Sequence, residues 1–117
     1  NKMLFGGSDD CYAWQMIDLL DLGFSEAHMD VMRLHAGIEG YLANKGIADD
    51  YDDQVYLQLI FLDELEEELG RLQTMFGSEE RWVYREAQRM IPVGTRKILA
   101  MVEAEEPAVA KFINYVI

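Results

Sequence analysis

The residues that could carry out chemistry in this chain are few and widely spaced. His28 and His35 are seven positions apart, so on a helix their side chains would lie about 10 Å apart, too far to share a metal ion. Cys11 is the single cysteine, and no nucleophile–base motif surrounds it. We therefore expect no catalytic residue, no metal and no cofactor, and we interpret the chain as a protein that is not an enzyme.

Four aspartates between positions 49 and 53 suggest a calcium loop at first sight. An EF-hand loop counted from Asp49 requires glycine at its sixth position and glutamate at its twelfth. The sequence has Gln54 and Ile60 at those positions, so the motif fails. Capping of a helix N-terminus explains these aspartates better.

Arginines recur every four residues at Arg81, Arg85 and Arg89, next to Trp82. On a helix they would form a stripe opposite the apolar face. Two interpretations stay open. The stripe is either a docking face for a partner rich in carboxylates or phosphates, or it pairs with the acidic residues near positions 66 and 67.

Charge and composition limit the possible functions. The 117 residues include 22 acidic and 10 basic ones, for a formal net charge of −12, and half of the residues are hydrophobic. This charge disfavours direct binding to nucleic acid or to an anionic membrane, and it favours a basic partner. With one cysteine and no apolar run of about 20 residues, we expect a cytoplasmic protein without a membrane span.

The longest stretch with a single helical period is residues 52–76. Apolar residues recur at the seam positions of a heptad from Val55 to Phe76, and acidic residues fill its second half. Residues 55–62 (VYLQLIFL) are apolar on nearly all sides, so we expect them to be buried. Their composition also fits a buried strand, but no turn signal follows Leu62, so we prefer a helix.

Caps and breakers divide the rest of the chain into shorter helices. One helix ends at Gly23, and the next has Ser25 as its N-cap and runs to about Lys45. A fourth helix follows Ser78 and ends before the turn 92–94. Residues 95–116 form one kinked helix or two, with too few hydrogen-bond donors to read DNA.

We predict a single all-α domain over residues 1–117, a bundle of five or six orthogonal or antiparallel helices around the central helix of about 52–76. The predicted function is that of a small acidic regulator or antagonist that binds another protein. A transcription factor, or another nucleic-acid-binding protein whose surface it blocks, would be such a partner. Two alternatives are a helical bundle that binds or transforms a small ligand, and a structural subunit of a larger assembly.

Aromatic and arginine side chains are enriched where proteins contact each other. The apolar excess of residues 55–62 also predicts self-association, most simply as a homodimer. The predicted partner-binding residues are Tyr56, Ile60, Phe61, Arg81, Trp82, Arg85 and Arg89.

Overall fold

A computed structural model describes residues 5–6, 11–31, 34–44, 55–74, 82–104 and 108–117, and antiparallel strands make up most of these described residues. The strands are β1 (Phe5–Gly6), β2 (Cys11–Asp18), β3 (His35–Asn44), β4 (Val55–Leu62), β5 (Glu68–Gln73), β6 (Val83–Met90), β7 (Lys97–Ala104) and β8 (Ala108–Val116). One helix, α1 (Glu26–Val31), joins β2 to β3. No helix in this described part is long and apolar enough to cross a membrane.

The strands form two four-stranded sheets whose neighbouring strands run antiparallel. The front sheet has the order β2-β7-β4-β5, and the back sheet has the order β1-β8-β3-β6. Most neighbouring strands are far apart in sequence, so the pairing is largely long-range. The two sheets pack face to face as a β-sandwich, with the core between them.

The core follows the two-residue period of a strand. In β4, the side chains of Val55, Leu57, Leu59 and Phe61 are at most 1% exposed. Alternate residues of a strand point to the same face, so these four face the back sheet. The inner faces of β3 and β7 contribute Ala36, Ile38, Leu42, Ile98, Ala100 and Val102 to the same cluster.

The predicted all-α bundle is wrong, and its central helix is where the error is clearest. Residues 55–74 form β4, a turn and β5 instead of one helix. The expectation that residues 55–62 are buried is confirmed, because six of these eight side chains are buried. They form a buried strand, the alternative that their composition also fits.

Asp63 forms the turn that the sequence analysis missed. Its carboxylate Oδ1 accepts hydrogen bonds from the amides of Leu65 at 2.8 Å and Glu67 at 2.9 Å. Glu66 has a positive φ of 63°. An aspartate that binds backbone amides in this way is a turn former, yet the run DELEEEL reads as a series of helix formers.

The other predicted helices are mostly strands as well. The helix predicted to reach Lys45 is reduced to α1, which begins one residue after the predicted cap Ser25, and β3 follows it. The spacing of Ile38 and Leu42 would place them on one buried face of that helix. Both are buried, but residues four apart share a face in a strand as they do in a helix. Likewise β6 replaces the fourth helix, and β7 and β8 replace the helices of residues 95–116.

The turn predicted at residues 92–94 is confirmed. The amide of Thr95 donates to the carbonyl of Pro92 at 3.2 Å, and the Thr95 hydroxyl donates to the same oxygen at 2.7 Å. Gly94 has a φ of +92°, which favours glycine. The turn joins the two sheets through β6 and β7.

Asp30 connects α1 to this turn through hydrogen bonds. Its carboxylate accepts two hydrogen bonds from the Arg96 guanidinium, at 2.9 and 2.8 Å, and a third from the Gly94 amide at 3.0 Å. The hydrogen bond from Arg96, followed by the one from Gly94, lowers the pKa of Asp30 to about 2. The pair therefore stays ionised well into acid.

Candidate functional site

The outer face of the front sheet carries a broad surface of aromatic, polar and apolar side chains. Its first row, set by cross-strand register, is Trp14, Met101, Gln58 and Gln73, and its second row is Met16, Leu99, Ile60 and Arg71. A third, shorter row pairs Glu103 with Tyr56. We call these ten residues the front face. Four strands at the usual spacing make each full row about 14 Å long.

The β2 end of the front face is apolar and open to solvent. The side chain of Trp14 is 57% exposed, and that of Met16 is 37% exposed. Both lie on an edge strand of the sheet, where fewer neighbours cover them. A large exposed indole gives this end a flat, rigid contact surface.

Glu103 is the centre of a hydrogen-bonded network at the middle of the front face. One of its carboxylate oxygens accepts a hydrogen bond from the Tyr56 hydroxyl. The other accepts from the Gln58 side-chain amide at 3.2 Å, and the same amide lies 3.4 Å from the Met101 sulfur. These contacts fix the positions of several polar groups before any ligand arrives.

Arg71 brings positive charge to the β5 end. Its guanidinium donates to the Glu68 carboxylate, with 3.1 Å from Nε to Oε2. This bond lowers the pKa of Glu68 and is the largest cause of the raised pKa of Arg71. The nearby Tyr56 and Glu103 raise the pKa of Arg71 further, so Arg71 stays positively charged at this edge of the sheet.

Gln58 has a buried side-chain oxygen that lacks a hydrogen-bond donor among the described residues. The residue is 2% exposed. Its side-chain oxygen Oε1 is buried and accepts no hydrogen bond from the described residues. A buried acceptor in this state costs about 1–3 kcal/mol relative to one with a donor.

Two of the predicted partner-binding residues lie on this surface, and a third does not. Tyr56 and Ile60 belong to the front face and are half-buried. Phe61 points to the opposite side of β4 and is 0% exposed in the core. Consecutive residues of a strand point to opposite faces, so Phe61 lies on the other side of β4 from Ile60.

Three of the four remaining residues, Trp82, Arg85 and Arg89, lie on or beside β6, away from the front face. Arg81 falls outside the described residues, and Trp82, just before β6, is 39% exposed. The helical arginine stripe is wrong, because alternation along a strand places Arg85 and Arg89 on the same side as Val83 and Ala87.

Arg89 makes structural contacts along the edges of the two sheets. Its guanidinium carbon lies 5.3 Å from the centre of the Phe61 ring, and its Nη1 donates to the backbone carbonyl of Arg71 at 3.1 Å. A cation over an aromatic ring is attracted to it. These contacts are with an aromatic ring and a backbone carbonyl, and they differ from the predicted pairing with the acidic residues near positions 66 and 67. Partner binding through the predicted residues stays a prediction.

Sequence reasoning missed the outer residues of β2 and β7, together with the role of Gln58. On a helix, Trp14 would lie on one face with Ile17, and Gln58 would fall at a heptad seam position. The sequence does contain a signal, because apolar and polar residues alternate through residues 14–16 and again through residues 57–59. Each run is short, so the two-residue period is weak evidence on its own.

The described titratable side chains do not form a metal site. No three histidine, cysteine, aspartate or glutamate residues among them are close enough to hold an ion. The two histidines lie on separate elements, α1 and β3.

Comparison with known proteins identifies the fold. No protein-family model and no curated protein sequence matches the chain. The enzymatically active domain of tailspike protein 4 from bacteriophage CBA120 superposes with a TM-score of 0.65 at 9% identity, over 97% of this chain and 15% of that one. The CBM22-1–GH10 modules of Clostridium thermocellum xylanase 10B, solved with xylohexaose, give 0.54 at 10% identity, over 99% and 24%.

What these structures share with the chain is the fold. The chain spans about a quarter or less of each of them. At such low identity, the superposition carries no information about catalytic or binding residues.

Proposed function

We propose that this chain is a non-catalytic module that binds a neutral saccharide on its front face. The observation that carries the proposal is the first row, where the exposed Trp14 shares a line with the amides of Gln58 and Gln73. A saccharide combines apolar C–H faces with many hydroxyl groups. Its recognition therefore requires a flat aromatic surface beside fixed hydrogen-bonding groups, and this row provides both.

The polar groups of the front face can both donate hydrogen bonds to saccharide hydroxyls and accept hydrogen bonds from them. The Glu103 carboxylate accepts hydrogen bonds, the Arg71 guanidinium donates them, and the Gln73 amide does both. With a net charge of −12, the chain repels polyanions, so a neutral saccharide is the better ligand than an acidic one.

The unsatisfied oxygen of Gln58 gives a ligand hydroxyl a specific partner. Met101 lies beside it in the row, and its flexible, unbranched side chain can move aside. A hydroxyl that then donates to Gln58 Oε1 removes the penalty of the buried acceptor. This hydrogen bond would thus contribute about 1–3 kcal/mol to the free energy of binding.

One of the structures with this fold was solved with xylohexaose, and this supports a saccharide as the first ligand to test. The experiment is calorimetric titration of the chain with xylohexaose and a panel of neutral oligosaccharides. Trp14→Ala should weaken binding at least about tenfold, because it removes the aromatic surface. Trp82→Ala is the matched control and should bind as the unmodified chain does, because Trp82 lies beside β6 of the other sheet.

Absence of binding to every neutral oligosaccharide would refute the proposal. Equal loss in Trp14→Ala and Trp82→Ala would refute the assignment of the site. Thermal unfolding of both variants checks that each is folded.

A second proposal keeps the sequence-based prediction of a protein-binding regulator. Exposed Trp14 and Met16 favour it, since protein interfaces are enriched in aromatic and methionine side chains. Affinity capture with the unmodified chain and with Trp14→Ala tests it, and a partner retained equally by both would count against this surface. The cytoplasmic location and the homodimer remain predictions, the latter tested by sedimentation at two concentrations.

A further inference from the structure

A second surface lies on the opposite side of the sandwich, on the outer face of β3 and β6. Three cross-strand pairs define it, and we call these six residues the back face: Gly37 with Gln88, Glu39 with Glu86, and Tyr41 with Tyr84. Residues directly opposite each other on neighbouring strands point to the same side, so the pairs form one continuous patch. The patch combines aromatic rings, carboxylates and an amide.

Two tyrosines form the aromatic end of the back face. The ring centroids of Tyr41 and Tyr84 are 5.5 Å apart, and the ring planes meet at 61°, an edge-to-face arrangement. Each keeps about two-fifths of its surface exposed, 40% for Tyr41 and 42% for Tyr84. The electron-rich ring faces attract cations.

Two carboxylates lie next to the tyrosine pair. Glu39 and Glu86 are directly opposite each other across β3 and β6, an arrangement that is unfavourable for like charges. The Tyr84 hydroxyl contacts both carboxylates, at 3.0 Å for Glu86. The hydrogen bond with Glu39, then burial and the bond with Glu86, raise the pKa of Tyr84, so the hydroxyl stays neutral and adds no charge.

A shallow depression of about 170 Å³ adjoins the carboxylates. Its lining includes Glu39, Glu86, Gln88 and Gly37. Glycine keeps the depression open, because a Cβ at position 37 would lie 3.1 Å from the Cγ of Gln88. The depression therefore has carboxylates on one side and an amide on the other, and His35 also lines it.

We propose that this depression receives the guanidinium group of an arginine in a basic segment of a partner protein. A guanidinium is planar, carries five donors and stacks on aromatic rings. Glu39, Glu86 and the Gln88 amide oxygen line the depression and provide acceptors. The tyrosine pair lies one cross-strand pair beyond the glutamates, where its rings can contact a neighbouring cationic side chain of the same segment. The net charge of −12 attracts a basic segment toward the chain at long range.

The arginine site does not depend on the saccharide proposal. The front face and the back face are on opposite sides of the sandwich and share no residue. Occupation of one leaves the other open. The basic partner expected from the composition would thus bind at the back face through an arginine side chain.

The test is calorimetric titration of the full chain with an acetylated peptide of four Arg-Gly repeats. Peptides with lysine or with uncharged citrulline in place of arginine are the comparisons. We expect the arginine peptide to bind more tightly than the lysine peptide, because an ammonium cannot form the paired hydrogen bonds of a guanidinium. The citrulline peptide should not bind, because it keeps the shape and loses the charge.

Glu86→Gln and Glu67→Gln form a matched pair of variants. Each removes one negative charge, and Glu67 is exposed in the β4–β5 turn, outside the back face. Glu86→Gln should weaken arginine-peptide binding about fivefold, and Glu67→Gln by less than about twofold. Gly37→Ala should weaken binding as well, with its thermal unfolding midpoint showing that the fold is kept.

Several results would overturn the inference. These are no binding of the arginine peptide, equal binding of the lysine or citrulline peptide, or equal effects of the two glutamate variants. Trp14→Ala should bind the arginine peptide as the unmodified chain does. That comparison separates failure of this site from failure of the saccharide site.

Discussion

Replacing Thr74 by valine should leave a buried backbone amide without an acceptor. Thr74 is 5% exposed, and its hydroxyl oxygen accepts a hydrogen bond from the amide of Leu57, itself 0% exposed, at 3.0 Å. The amide of Thr74 donates in return to the carbonyl of Leu57 at 2.9 Å. The two bonds continue the β4–β5 ladder beyond the end of β5.

The size of the effect follows from this geometry. Valine has nearly the shape of threonine, so Thr74→Val removes the acceptor and leaves the packing almost unchanged. A buried amide that loses its acceptor costs about 1–3 kcal/mol. The control Thr74→Ser keeps the acceptor and removes one methyl group, which costs about 0.8 kcal/mol. Thr74→Val should therefore lose more unfolding free energy than Thr74→Ser.

Urea unfolding followed by tryptophan fluorescence measures both variants. The dependence of unfolding free energy on urea should be unchanged, because both variants expose the same surface on unfolding. Hydrogen exchange at the Leu57 amide should accelerate in Thr74→Val beyond any change in global stability. A Thr74→Val protein as stable as the unmodified chain, with Leu57 protection intact, would refute the reasoning.

Two further predictions concern α1 and the β6–β7 turn. The pKa of Asp30 is lowered from 3.8 to about 2, so its ion pair stabilises the fold fully above about pH 4 and loses that effect as pH falls toward 2. Between pH 2 and 4, the thermal midpoint of Asp30→Asn should change less with pH than that of the unmodified chain. Equal slopes for the two proteins would contradict the assignment. Gly94 has a φ of +92°, and a Cβ there would meet only Leu69 Cδ1, at 3.6 Å. Gly94→Ala should thus cost about 1–2 kcal/mol from backbone strain alone. Gly94→Asn should cost less in the same urea assay, and equal losses would argue against strain.

Local features of the sequence predicted the burial of residues 55–62 and the turns marked by glycine or proline. Residues 55–62 are buried as expected, because their apolar content requires burial in a helix or a strand alike. The turn at residues 92–94 was predicted from proline and glycine, whose backbone preferences act at their own positions. Gly23 likewise has a positive φ of 97°, although it closes a turn after a strand and not a helix.

The predicted secondary structure is wrong because the apolar spacing fits both the period of a helix and the two-residue period of a strand. Ile38 and Leu42 are four apart, and this spacing keeps them on one face of a helix or of a strand. The acidic run after Leu62 has helix-forming composition, but Asp63 bonds to its own neighbours and reverses the chain. Pairing with β7, more than 30 residues away, then fixes β4 as a central strand.

The sequence by itself determined the charge, the apolar content and the turns marked by glycine or proline, because these depend on residue types and near neighbours. The tertiary structure decided which residues share a surface. Trp14, Gln58 and Glu103 come from three distant segments and meet only because β2 and β4 both pair with β7. Such alignment arises from long-range backbone hydrogen bonds, whose register no local pattern specifies.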